Sequence, residues 1–196
     1  MRRQIERLCE DYSGYLITGD DARAVRSTRG SPTYGEITVT SLARLIEYLE
    51  LTPNDVVYDL GSGIGKVVLQ VAMTTDIRRV VGIEMAQSRH QAATEILARA
   101  REDGLLRVRD CQLRQGNFLH DPLADATVIY TCSTAFSEPF MRKLISRLSD
   151  LRPGLRLVSS RGLLEEGPFE QVDRLLLDMS WKRRSPLYVY RLTGSE

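Results

Sequence analysis

Between residues 56 and 71 the chain reads VVYDLGSGIGKVVLQV, with Asp59 two positions ahead of three alternate glycines, Gly61, Gly63 and Gly65. Glycine accepts positive φ and has no Cβ, so a bulky ligand can press against the backbone here. The flanking valine and leucine runs put the glycines where a strand ends and a helix begins, and a helix start offers unpaired N–H groups. Gly-x-Gly-x-Gly followed by Lys66 and Val67 is not the G-x-G-x-x-G of dinucleotide sites, nor does it carry the Gly-Lys-Ser/Thr of a phosphate loop. A carboxylate at Asp59 would repel a pyrophosphate, but it would face an ammonium and a sulfonium favourably. Glu84, 19 residues past the last glycine, closes a second strand, VVGIE, where a carboxylate can accept from both ribose hydroxyls. A third strand runs into QGNF, so that Asn117 can accept the adenine amino group and Phe118 can stack on the ring. Sulfonium, ribose and adenine in that order point to S-adenosylmethionine (SAM).

Elements must hold these residues together. Ile5, Leu8, Cys9, Tyr12, Tyr15 and Leu16 recur at helical spacing and predict an opening amphipathic helix. Residues 18 to 36 are polar and punctuated by Gly and Pro, which predicts a loop with at most a helical turn. Leu42, Leu45, Ile46 and Leu49 predict a helix over 37–51. Strands are expected near 56–60, 79–84, 111–115, 126–131 and 155–160, with helices near 65–75, 86–102 and 138–149. Two further strands, near 172–180 and 186–192, follow with little helix between them. Such alternation demands crossovers, hence an α/β fold. The count is that of a class I methyltransferase: a Rossmann-like, seven-stranded, mostly parallel sheet with helices on both faces and an antiparallel last strand. One domain is expected, with residues 1–36 as an amino-terminal helix and lid and 37–196 as the SAM-binding body.

Composition narrows the classes. The 196 residues carry a formal net charge of +1, so no overall field marks a nucleic-acid or membrane binder. Of 27 basic residues only Lys66, Lys143 and Lys182 are lysines, which reads as genome composition. Cys9, Cys111 and Cys132 lack metal-ligand spacing and predict reduced thiols in a cytoplasm. His90 and His120 are isolated, which argues against a metal. No apolar run approaches the roughly 20 residues of a membrane span, and the charged amino terminus is no signal peptide.

TYGEI (33–37), DLGSGIGKVVLQVA (59–72), GIE (82–84), GNF (116–118), VSS (158–160) and SWKRRSPLYVY near the carboxyl end together resemble the catalytic domain of Dot1-type lysine methyltransferases, in a short prokaryotic-type version. The resemblance implies that Tyr34 and Glu36 belong to a loop over the methionine part of SAM. It implies that Asp59, Gly61, Gly63, Glu84, Asn117 and Phe118 hold the cofactor, with Cys132 in the place of an asparagine that contacts it. It also implies that Phe136, Ser159, Ser160, Trp181 and Tyr188 line a narrow channel admitting an amine to the methyl group. The family's paired asparagines after the fourth strand are Cys132 and Ser133 here, and its GDF is GNF. The amide oxygen of Asn117 can still accept.

Methyl transfer to lysine needs alignment, exclusion of water and an uncharged amine. A free lysine of pKa about 10.4 is neutral only about once in a thousand molecules near pH 7.4, a cost of about 4 kcal/mol, which an apolar aromatic channel lowers. No general base is needed; Tyr188 and the two serines would orient the amine. The expected partner is a protein presenting a lysine. Methylation of a small molecule or nucleic acid on the same sheet is the first rival, although TCSTAF stands where base-amine enzymes carry Asp/Asn-Pro-Pro-aromatic. A SAM-binding regulator without turnover is the second. Arg23, Arg26 and Arg29 fall three apart and, if they converge with the Lys182–Arg184 turn, would offer a site to an acidic partner or to phosphates.

Overall fold

Runs of Val, Leu and Ile that are buried on both sides form the strands at the centre of the molecule, and amphipathic stretches between them become helices. The computed structural model describes residues 1–28, 30–164 and 167–194. In chain order the elements are α1 (Arg2–Leu8), α2 (Gly19–Ser27), α3 (Val39–Leu49), β1 (Val56–Leu60), α4 (Lys66–Thr74), β2 (Arg79–Glu84), α5 (Gln87–Glu102), β3 (Asp110–Gln115), β4 (Val128–Thr131), α6 (Glu138–Ser149), β5 (Arg156–Ser159), β6 (Phe169–Met179) and β7 (Lys182–Leu192).

The strands form one seven-stranded sheet in the order β3-β2-β1-β4-β5-β7-β6. Pairing is parallel from β3 through β5, while β7 runs antiparallel between β5 and β6. This is the class I methyltransferase sheet. Residues of α1, α3, α4 and α5 pack on one face with Val57, Val80 and Tyr130; α6 packs on the other with Tyr58, Leu60, Ile83 and Ile129. Each fully buried Leu or Ile contributes roughly 1.5–3 kcal/mol of transfer free energy. Chain order reverses between β1 and β4, and at such a switch point a crevice opens beyond the carboxyl ends of the strands. The opposite ends are clamped by ion pairs, Arg79 with Asp110 and Asp125, and Arg156 with Asp55. Those charges are structural.

Two expectations near the amino terminus need correction. The opening helix stops at Leu8, and Tyr15 and Leu16 are exposed rather than on its apolar face. Beyond it Gly14 packs against the ring of Tyr34, where a Cβ would collide. Residues 19–27, expected as loop, form α2. Thr18 caps it by accepting from the Asp21 backbone N–H at 3.1 Å, and Asp20 and Asp21 sit in its first turn, where carboxylates are favoured. The last two strands also begin earlier than their apolar runs, because cross-strand pairing extends the hairpin through polar residues.

Candidate active site

The three glycines all hold φ between +55° and +83°. Their backbone donors are not left open. Gly61 and Ser62 both donate to the carbonyl of Ile83, at 2.9 and 3.1 Å, and Gly63 donates to Glu84 Oε2 at 2.8 Å. The loop is therefore stitched to the end of β2, and what it offers a ligand is room. At Gly63 the room is taken by Tyr34: a Cβ there would lie 2.5 Å from its ring. Glu84 Oε1 accepts from the Ala86 backbone N–H at 2.8 Å, so each carboxylate oxygen has one partner and can accept another toward the cleft it lines.

Asp59 stands beside Tyr130 in the β1–β4 register and is 2% exposed. Burial, reinforced by the charge of Glu84, pushes its carboxyl up to about 8. The Tyr130 hydroxyl is buried without a hydrogen-bond partner among the described residues, and Cys132, Asp59, Tyr34 and Glu36 are the groups that act on it electrostatically. An orphaned polar atom next to a buried carboxylate suits a site that a polar ligand completes. Cys132, at the end of β4, has its thiol pushed up to about 12 by burial and behaves as a small apolar group. Nothing in the sequence had singled out Tyr130, since an aromatic in an apolar strand looks like core.

The amino-terminal segment is tied to the rest of the molecule at several points. Tyr34 Oη donates to Glu36 at 2.6 Å, and Lys66 Nζ meets the other Glu36 oxygen at 2.5 Å. Arg89, 5% exposed, donates to the carbonyls of Gly14 and Pro32 at 2.9 and 2.8 Å while its guanidinium sits 5.0 Å from the Tyr34 centroid. Asp21 caps α5 by accepting from the backbone N–H groups of Gln87 and Ser88. Lys66 and Arg89 are functional candidates that sequence reading missed. Only Lys66 carried a signal, as the first charge after the glycines.

The residues expected to line an acceptor channel are divided. Thr33, Tyr34, Gly35, Cys132, Thr134, Ala135 and Trp181 line a cavity of about 200 Å³ beside the cleft. Trp181 lies against Gly35, where a Cβ would collide with its ring. Phe136 lines the cofactor cleft with Phe118, their rings stacked at 6.0 Å, and both meet Phe140 edge-on. Asn117 lines the cleft too, though its Oδ1 already accepts from the Leu119 N–H at 3.0 Å. Among the described residues, neither lining includes Ser159, Ser160 or Tyr188. Ser159 is fully buried and bonds Ser133 Oγ at 2.7 Å; Ser160 bonds Thr134 at 2.8 Å. These hydroxyls latch the loop after β4 to the end of β5. Tyr188 pairs with Ser159 across β5–β7 and packs near Gly162, with the Arg174 guanidinium 5.8 Å from its centroid. Arg23 pairs with Asp20, Arg26 is exposed and Arg29 lies outside the described residues.

The family model described as "Histone methylation protein DOT1" matches residues 24–176. A histone-lysine N-methyltransferase, H3 lysine-79 specific, of Drosophila melanogaster is 30% identical over 154 residues, which is 74% of this chain and 8% of that protein. A protein-lysine N-methyltransferase of Saccharolobus islandicus is 27% identical over 59% of this chain and 68% of its own length. This chain thus spans only a small fraction of the fly protein. Among solved structures, an RNA methyltransferase from Salinibacter ruber in complex with S-adenosyl-L-homocysteine aligns with TM-score 0.63 and 24% identity, over 80% of this chain and 93% of that one. The magnesium protoporphyrin IX methyltransferase of Synechocystis PCC 6803 aligns at 0.64 with 12% identity over 97% and 90%. Both share the sheet. With the family model covering residues 24–176, most of its length, this chain belongs to the DOT1 histone methylation protein family.

Proposed function

We propose that this chain is a SAM-dependent methyltransferase acting on the side-chain amine of a lysine in a protein. One observation carries the reading: Glu84 lines a cleft beside a glycine loop that is flanked by the buried Asp59 and the Lys66–Glu36 pair, and that cleft adjoins an aromatic-walled cavity. SAM fits this set, because a buried carboxylate, an orphaned Tyr130 hydroxyl and a Lys66–Glu36 pair complement a sulfonium and an amino-acid zwitterion. Bound there, SAM supplies the methyl group. Glu84 holds the ribose, Phe118 and Asn117 the adenine, Gly61 leaves space for the ligand, Gly63 makes room for the ring of Tyr34, and Glu36 with Lys66 receives the amino-acid end under that ring. Trp181, Tyr34 and Cys132 wall the acceptor away from water and disfavour its ammonium form, while Ser159 and Ser160 hold the 132–135 loop from behind. Residues 1–36 act as the lid and 37–196 as the body. Relatives named as histone-lysine and protein-lysine N-methyltransferases support the lysine acceptor. No helix among the described residues is long and apolar enough to cross a membrane, and three free cysteines favour the reducing cytoplasm.

Tritiated SAM incubated with the protein and a size-fractionated lysate tests the reading. Label should enter protein and be recovered as methyl-lysine. Label in nucleic acid or small molecules, or none at all, would replace the acceptor or the turnover.

Trp181→Ala should lower methyl transfer about a hundredfold, the usual cost of a misplaced acceptor. S-Adenosylhomocysteine affinity should stay within about twofold, because Trp181 lines only the second cavity. Matching losses in both would put the ring in the cofactor pocket. The lid gives a further expectation. Opening must break the Arg89 and Asp21 contacts, so hydrogen exchange over 18–36 should slow on adding S-adenosylhomocysteine while β1 and β4 change little. Uniform protection without ligand would rule out a gate.

A further inference from the structure

Beyond Asn117 an open cavity of about 330 Å³ lies between the end of α2, the loop after β3 and α6. Its lining carries three basic side chains, His120, Lys143 and Arg147, with the hydroxyls of Ser27 and Thr28, and no carboxylate among the described residues. Lys143 and Arg147 stand one turn apart on α6 and so share a face. Lys143 has no side-chain partner among the described residues. Arg147 donates one guanidinium N–H to the carbonyl of Asp121, while its Nε is shut from solvent with no acceptor among the described residues. Buried donors without acceptors are rare. A guanidinium fork with an ammonium a turn away is the arrangement that grips an oxyanion through charge-assisted bonds.

We propose that this cavity binds a phosphoryl group carried by a small molecule. Two cations and an imidazole gathered in one hollow match a compact dianion. A nucleic-acid backbone would call for an extended basic face, and the chain's net charge is +1. Thr28 and Asn117 line both this cavity and the cofactor cleft. An occupant bridging α2 to α6 therefore presses the lid's trailing end onto the adenine side and tightens cofactor binding. That coupling rests on the cofactor reading; the anion site does not.

The test uses the full chain in phosphate-free buffer at constant ionic strength, titrated with inorganic phosphate and with pyrophosphate, followed by phosphorus NMR and thermal shift. Saturable binding and a raised melting temperature are expected, with the S-adenosylhomocysteine dissociation constant falling about fivefold at saturation, an ordinary two-site coupling. Lys143→Ala and, separately, His120→Ala should each weaken phosphate binding about fivefold or more through loss of a charged or hydrogen-bonding partner, with cofactor affinity in phosphate-free buffer unchanged. A thermal shift that chloride reproduces, or unaltered phosphate binding in both variants, overturns the site. A short single-stranded oligonucleotide that displaces phosphate with a steep salt dependence overturns the small-ligand assignment in favour of nucleic acid. Phosphate binding without any S-adenosylhomocysteine binding supports the site and counts against the cofactor reading alone.

Discussion

Replacing Glu84 by alanine should weaken S-adenosylhomocysteine binding by about a hundredfold or more, since two charge-assisted bonds of about 1.5 kcal/mol each are lost. The carboxylate is fixed by its two backbone donors, Gly63 and Ala86, so its remaining lone pairs face the cleft without a search through rotamers. Removal also leaves the Gly63 N–H without an acceptor beneath the glycine loop. Asn117→Ala should cost no more than about tenfold, because a neutral amide already shared with Leu119 is all that disappears. Titration calorimetry separates the two variants. Equal and negligible effects would mean that neither residue meets the ligand and that the register of the site is wrong.

The Asp59 carboxyl, pushed from its ordinary 3.8 to about 8 by burial and by the nearby Glu84 charge, has consequences of opposite sign for the free and bound protein. The unfolded chain releases this proton near pH 4, whereas the fold keeps it until about pH 8. The stability this group contributes is thus complete below pH 4 and is lost as pH rises through that window, on the order of a few kcal/mol. Asp59→Asn should therefore flatten the pH profile and raise the melting temperature of the ligand-free protein above pH 7. A cationic ligand reverses the preference, because it stabilises the carboxylate. Binding of SAM at pH 7 should then expel up to about one proton, so that the apparent enthalpy changes with the ionisation heat of the buffer. The asparagine variant should show no such dependence and should bind SAM about ten- to a hundredfold more weakly, one to two pKa units of lost charge stabilisation. The loss should be smaller for S-adenosylhomocysteine, which lacks the sulfonium charge. A buffer-independent enthalpy in the wild type would exclude Asp59 as the group that meets the cation.

How much could be read beforehand followed from how local each signal is. Strand β1, the glycine run and Glu84 were legible because valine and leucine runs, positive φ and a strand-end carboxylate are properties of neighbouring residues. Helix α2 was not, since only Asp21, Ala22 and Val25 are buried in a polar nonamer, although Thr18 and the two aspartates were its start signal. The opening helix was drawn too long because Tyr12, Tyr15 and Leu16 kept the period while Gly14 answered to a distant ring. Lys66 with Glu36, Arg89 with Gly14 and Pro32, and the unpaired Tyr130 hydroxyl are tertiary facts. They join positions far apart in the chain, and no spacing rule reaches them. Ser159 and Ser160 were placed beside the acceptor by likeness; their hydrogen bonds to Ser133 and Thr134, which tie the loop after β4 to the end of β5, are tertiary and carry no sequence signal.

The ring of Tyr34 touches backbone at both Gly14 and Gly63, and neither glycine has space for a single added carbon. In evolutionary terms the three positions form one character. A lineage that exchanges the tyrosine for a smaller residue frees Gly14 to drift while Gly63 is still held by its φ of +55°, and one that fills either glycine must first give up the aromatic ring. Substitutions at these sites should therefore be found together in descendants of this chain, with single replacements surviving only as brief, poorly folded intermediates.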